Sequence, residues 1–467
     1  MLFNSYIFLF GFLPGVLAGW WGLTRWRRLR LAFLTSASWF FYAWWDWRYL
    51  PVLIGATSVD FVAGRWIAAS ESEPRRRLLL ATSLATNVGI LCYFKYAGFF
   101  FDSLNGIGKA LGMRPGLPSL HIVLPIGISF YTFNSMSYTI DVFRRKVEPT
   151  RSVLEYTTFV GLFPHLIAGP IVRFTDLAGQ LRRLTPRLTS RHAALGVYFL
   201  SCGLVKKLLI ADQLHPYVTR LYADHAHLGL LTGWAAAVGY SLQLYFDFSG
   251  YSDMAVGLAW LLGFRFPQNF NSPFKAENIS DFWRRWHMSL SSWFRDYLFI
   301  PLGGSRQGAG RTVVNLFAVM FLAGLWHGAA WTFVVWGLVH GTFLGGHAVL
   351  RKAGLTPPSV TLNRIVTFVL VCGAFVIFRS PSLGVAGDVL SSMAGLGGLD
   401  THAQLTMLLP VKFGLLVAAL LVFVNLAPNT WQIRIQPRIW QGMAVGIGAA
   451  VAIMTISQPH PFIYFQF

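Results

Sequence analysis

Residues 318–341 read AVMFLAGLWHGAAWTFVVWGLVHG and include no aspartate, glutamate, lysine or arginine. A helix needs about 20 mostly apolar residues to cross a bilayer. With its apolar flanks, the stretch therefore reads as the junction of two spans, expected at 312–329 and 331–349. His327 lies inside it, between Trp326 and Gly328. An ionisable ring is costly in hydrocarbon and tends to face protein or water. Gly324 and Gly328 flank it at a spacing that lets helices pack closely.

The rest of the 467-residue chain has the same character. Apolar residues make up 55% and charged residues 12%, about half the charged share of an ordinary soluble chain. Mean hydropathy is +0.52. Such a chain cannot coat a soluble body with charge, and lipid solvates much of its surface. A net charge of +20 raises the question of nucleic acid. The basic residues, however, form short clusters between apolar runs, such as Arg25, Arg27, Arg28 and Arg30, and no basic domain. That is the pattern of membrane topology and of contact with anionic headgroups, so membrane lipid is the expected partner and nucleic acid is not. Cys92, Cys202 and Cys372 lie far apart and make neither a disulfide framework nor a metal pattern. The N-terminus lacks the basic region of a cleavable signal peptide, so its first apolar run is expected to stay.

The expected fold is all-α and polytopic, one domain over residues 1–467. Twelve spans are expected, near 4–22, 31–47, 49–67, 78–96, 121–141, 193–211, 229–247, 312–329, 331–349, 362–379, 409–427 and 440–456. Apolar stretches at 152–171, 250–264 and 288–302 are broken by polar residues, glycine or proline and read as partial, re-entrant or interfacial helices. With the N-terminus outside, the basic clusters at 25–30, 75–77, 144–146, 182–191, 284–295, 306–311, 351–352 and 434–438 fall inside. An even count returns the C-terminus to the outside.

Few residues can carry chemistry in such a chain. A neutral His327 can take a proton from a hydroxyl, and it can equally be a satisfied histidine between packed helices. His287 lies in DFWRRWHMSLSSWFRDY (281–297), where Arg284 and Arg285 can meet phosphates of a donor or of lipid. Asp247, Tyr251 and Asp253 occur in QLYFDFSGYSDMAVG (243–257). The two acids can pair with Arg284, Arg285 or Arg295, line a polar tunnel, or serve a proton-coupled transporter. His165 lies in FPHLIAGPIVRF (163–174), where Pro164, Gly169 and Pro170 interrupt the helix, so it marks a bend or a pocket wall. Asp60 falls within a span and has no polar neighbours in sequence. No HExxH or paired Cys/His spacing supports a metal, and no G-x-S-x-G supports a serine nucleophile.

Taken in order, MLFNSYIFLF (1–10), FPHLIAGPIVRF, QLYFDFSGYSDMAVG, NFNSPF (269–274), FWRRWHMSLSSWFRDYLFIPLGG (282–304), LAGLWHG (322–328) and PFIYFQF (461–467) resemble the membrane-bound O-acyltransferase family. The nearest likeness is its bacterial branch that acetylates exopolysaccharides such as alginate. The resemblance implies a helical fold around a central tunnel in the bacterial inner membrane. It implies His327 as the catalytic histidine and His287 as the second histidine of the family, with Trp326 at the tunnel. The implied donor is a cytoplasmic thioester, acetyl-CoA or an acyl carrier, with no permanently bound cofactor. The implied acceptor is an outer-side hydroxyl, on the polysaccharide or on an acetyltransferase partner. Other family members transfer D-alanine to wall polymers.

The charge pattern makes a direct prediction. Tags at both ends of the chain should be labelled from outside in intact cells. Labelling of one end only would break the even span count.

Overall fold

A computed structural model of the chain describes residues 1–113, 116–120, 122–355, 357, 359–436, 438–456 and 462–463. The chain is 75% helical, and the described residues hold no strand. They form two compact units, residues 1–198 with 255–267 and residues 199–254 with 268–467.

Among the described residues six helical runs are long and apolar enough to cross a membrane, seven if the bent pair His402–Leu408 and Val411–Leu426 is one span. This is fewer than the twelve expected. The expected spans 31–47 and 49–67 belong to one 43-residue run, Arg27–Ala69, with a short turn at Trp47–Tyr49. Ile7–Gly22 and Ile439–Met454 are shorter helices. The expected span 121–141 is the 16-residue helix Ile128–Phe143, buried along nearly its whole length. A helix buried all round has the composition of a span, but protein surrounds it. The stretch 250–264 is no separate element, because helix Leu230–Leu261 runs into it. The stretch 152–171 does break, into Val153–Gly161 and Phe163–Leu166.

The first unit satisfies its buried polar groups across helices. Asp60 accepts hydrogen bonds from Ser83 Oγ at 2.6 Å and Asn87 Nδ2 at 2.9 Å, and Ser83 Oγ also lies 3.0 Å from Thr139 Oγ1. Asp60 thus has the polar neighbourhood that its own stretch of sequence lacks, supplied by residues 23 and more positions away. Arg30, expected to face lipid headgroups, is 1% exposed. Its guanidinium lies 3.8 Å from the Trp20 ring centre and donates to the carbonyls of Trp20 and Thr185.

The second unit is organised by the hairpin of helices Gly308–His327 and Trp331–Lys352. His327 is the last residue of the first helix, at the turn rather than mid-span. Glycines let the two backbones touch. A Cβ on Gly324 would lie 2.3 Å from the Phe333 carbonyl oxygen, and one on Gly337 would lie 2.4 Å from that of Met320. Backbone cannot yield as a flexible side chain can. Gly324→Ala and Gly337→Ala should each destabilise the protein by about 1–3 kcal/mol, read as a lower thermal midpoint in detergent. Gly346→Ala, where the added methyl meets nothing within 4 Å, should leave the midpoint unchanged. Equal midpoints for all three variants would contradict this packing.

Candidate functional site

His287 is held by two segments that pair like short strands. The Met288 N–H donates to the Asn269 carbonyl at 2.9 Å, and the Asn271 N–H donates to the Arg285 carbonyl at 2.9 Å. Asn278 caps the helix Ile279–Arg285 that leads into the site. His287 then adopts a left-handed backbone, φ 42°, and starts helix Met288–Phe294. Such a conformation in a non-glycine residue costs of order 1–3 kcal/mol and collects at functional sites. The imidazole is fully buried, with the rings of Phe248 at 4.7 Å, Trp326 at 6.0 Å and Phe270 at 6.5 Å. Burial among apolar rings pushes its pKa down to about 3, so the ring is neutral.

His327 is also buried. Three aromatic rings meet it edge-on, Trp336 at 4.9 Å, Trp326 at 5.0 Å and Phe378 at 5.2 Å. Trp326 therefore touches both histidines that the sequence singles out. A third histidine, His340, joins them. It lies 4.7 Å from Trp336, and its Nδ1 accepts from Trp283 Nε1 at 3.3 Å. The signal for it was present in the sequence: His340 stands in the uncharged run 318–341, with Gly337 and Gly341 around it.

A cavity of about 290 Å³ is lined by Trp283, the ring that donates to His340. Thr312, Leu316, Val319, Met320 and Ala323 line it, all from the helix that ends in His327. At 1.5 Å per residue, residues 312 to 323 span roughly 16 Å, and Ala323 is one turn short of His327. Arg284, Arg295, Arg351 and His347 also line the cavity. Its wall thus joins apolar side chains to a cluster of cations. Arg285 is not part of it. Its guanidinium is engaged by Asp281 at 2.8 Å and reaches the Asn271 carbonyl.

The acids of helix Leu230–Leu261 pair with lysines, not with the expected arginines. Lys206 Nζ lies 2.5 Å from Asp253, and Lys207 Nζ lies 2.6 Å from Asp247 and 2.9 Å from Asp212. Both lysines lie on the π-helical turn Val205–Ala211, Lys207 buried and Lys206 half-buried. Asp253 also accepts from Thr430 Oγ1 at 2.8 Å, and Asp247 from the Ile463 N–H at 2.9 Å. Tyr251 packs 4.5 Å from Phe462. Of the PFIYFQF ending, only Phe462 and Ile463 lie among the described residues. These residues form a buried structural cluster, and the lysines were missed because residues 206–207 sit in an expected span. His165 belongs to the first unit. It is fully buried, its Nδ1 accepts from Asn134 Nδ2 at 3.2 Å, and burial pushes its pKa down to about 4.

Residues 4–379 match the model of the membrane-bound O-acyltransferase family. The chain belongs to that family. It is an O-acyltransferase of the membrane, and its relatives narrow the branch. A Pseudomonas syringae pv. tomato protein named "Probable alginate O-acetylase AlgI" is 44% identical over 85% of this chain and 76% of its own length. A Helicobacter pylori peptidoglycan O-acetyltransferase is 37% identical over 86% of this chain and 81% of its own. A Bacillus subtilis teichoic acid D-alanyltransferase is 29% identical over 57% of this chain and 71% of its own.

The ion-pair cluster predicts an order of damage. Lys207→Ala removes the cation shared by buried Asp247 and half-buried Asp212, and Lys206→Ala removes that of buried Asp253. Breaking a buried pair costs about 3–5 kcal/mol. Lys207→Ala should therefore lose more folded protein than Lys206→Ala, measured by size-exclusion yield and thermal midpoint. Wild-type behaviour of both variants would contradict a structural role.

Proposed function

We propose that this acyltransferase moves an acetyl group from cytoplasmic acetyl-CoA to a hydroxyl on the outer side of the inner membrane. The product is an O-acetylated, alginate-like exopolysaccharide. The observation that carries the reading is a cavity whose wall joins apolar side chains to Arg284, Arg295 and Arg351 and reaches Ala323, one turn before His327 on the same helix. A thioester donor linked to phosphates needs both surfaces. Arg284, Arg295 and Arg351 would hold its phosphates, and the apolar wall would take the acyl-bearing arm.

In this reading the acceptor hydroxyl gives its proton to His327 as its oxygen attacks the thioester carbon. The carbonyl electrons move to oxygen, giving a tetrahedral intermediate. That intermediate collapses, the C–S bond breaks, and the thiolate takes the proton back from His327 as CoA thiol. An ester and a thiol result, and the histidine ends as it began. The thioester is already activated, so a base and correct placement are adequate chemistry. His287 orients the donor beside Trp326. The acceptor is a polysaccharide hydroxyl, reached directly or through a serine of an outer-side acetyltransferase partner. An acyl carrier would fit the same cavity in place of CoA.

Support comes from the acetylase relatives, which match at higher identity and over more of this chain than the D-alanyltransferases. The family match from residue 4 to 379 takes in parts of both compact units, which supports reading the chain as one acyltransferase domain. The Asp247 and Asp253 ion pairs favour a structural role for the acids over a proton-coupled transporter.

Purified protein with labelled acetyl-CoA tests the proposal. His327→Ala and His327→Gln should lower acetyl transfer by ~10²–10⁴ per folded molecule, with donor binding retained. Glutamine hydrogen-bonds but takes no proton near neutral pH. A largely active His327→Gln would make the histidine structural. Arg284→Gln should raise the donor KM, and Arg284→Lys should do so less, because lysine keeps the charge and loses the fork. An unchanged KM would return Arg284 to lipid contact.

A further inference from the structure

We infer that Asn269 is a positioning residue that fixes the tautomer of His287 and makes its Nε2 a hydrogen-bond acceptor in the site. The inference rests on the reading of His287 as a residue of acyl transfer.

A backbone N–H fixes the orientation of the Asn269 amide. The backbone N–H of Ser289 donates to Asn269 Oδ1 at 3.3 Å. A backbone N–H has no lone pair to offer an amide nitrogen, so the atom it meets must be oxygen. Ser289 Oγ lies 2.9 Å from the same Oδ1, and Asn269 Nδ2 reaches Ser252 Oγ at 3.0 Å. Both contacts agree with that orientation. Asn269 is itself 1% exposed, and its carbonyl is taken by the Met288 N–H. Flipping the amide would set two N–H groups against each other in a dry pocket.

The consequence falls on His287. Its Nδ1 lies 3.1 Å from Asn269 Oδ1. Oxygen of this kind only accepts, so Nδ1 carries the proton. A neutral imidazole has one N–H, so Nε2 carries the lone pair. The surroundings keep the ring neutral. Phe248, Phe270 and Trp326 present apolar rings, Asn269 is uncharged, and Trp326 is the ring that His287 shares with His327. The left-handed backbone at His287 and the Met288 N–H bond to Asn269 fix the ring's origin. In this tautomer His287 offers no N–H from Nε2 to a developing oxyanion. It accepts a hydrogen bond instead, which suits an amide N–H or hydroxyl of a bound substrate. Asn269 does for His287 what a buried carboxylate does for the histidine of a hydrolase triad, without adding a charge.

The test compares Asn269→Asp and Asn269→Ala with wild type and His287→Ala. A carboxylate facing Nδ1–H favours the imidazolium and raises the pKa of His287. The protonated ring has no lone pair. In Asn269→Asp the pH at which His287 takes its second proton, read in the nitrogen-15 spectrum, should therefore move up by at least one unit. Asn269→Ala should lose kcat about 10- to 100-fold, the scale of a lost orienting partner, with no upward shift. The tautomer itself is read without activity. Nitrogen-15 spectra of histidine-labelled wild type, assigned by difference from His287→Ala, should show His287 with Nδ1 protonated and Nε2 bare. A protonated Nε2 would overturn the inference, as would an Asn269→Asp titration of His287 that superimposes on wild type. Failure of the proposed function itself is distinct: wild-type protein would transfer no acetyl group, while the spectrum would still report the tautomer.

Discussion

The contact between Gly324 and Gly337 sets the place of the histidine cluster. It brings helices Gly308–His327 and Trp331–Lys352 to backbone distance, with the Phe333 and Met320 carbonyls filling the space where side chains would be. At that separation, Trp326, His327, Trp336 and His340 meet edge-on as one aromatic and imidazole cluster at the hairpin. Phe378 closes on His327 from helix Val360–Arg379. A wider hairpin would separate Trp336 from His327 and open the site to lipid. Small residues that allow close approach are the usual way to join helices where lipid is as apolar as the side chains.

The second constraint is the satisfaction of polar groups away from water. An unpaired buried charge is costly, so each has to be answered within the protein. Asp60 is answered by Ser83 and Asn87, Arg30 by Trp20 and two carbonyls, and the acids of helix Leu230–Leu261 by Lys206 and Lys207. His287 is answered on one side by Asn269. The difference in chemistry follows from the partners. Charges answered by charges become fixed structural ties, whereas the neutral ring of His287 meets a neutral amide.

The membrane class and the helical architecture were legible in the residues themselves, and the resemblance singled out the two histidines that share Trp326. Uncharged runs such as 318–341 and the WHG and WHMSLS pieces are local signals, and local signals survive in a sequence. The number of spans was not legible. Hydropathy cannot tell lipid from protein as the neighbour of Ile128–Phe143, whose apolar faces are covered by other helices. The partners of Asp60, Asp247 and Asp253 were not legible either, since they stand tens of residues away and meet only on folding. Asn269 passed unnoticed for the same reason. Its effect depends on the angle of one amide, set by a backbone N–H at Ser289.

The central claim is that an acyl group crosses the membrane through this chain at His327. The most direct measurement uses sealed proteoliposomes with labelled acetyl-CoA enclosed and the acceptor polysaccharide, with any outer-side partner, added outside. The account predicts label on the outer acceptor with CoA thiol left inside, and none when His327→Ala replaces the wild type at equal folded content. Label that appears only when donor and acceptor share one side of the membrane, or that persists with His327→Ala, would contradict it.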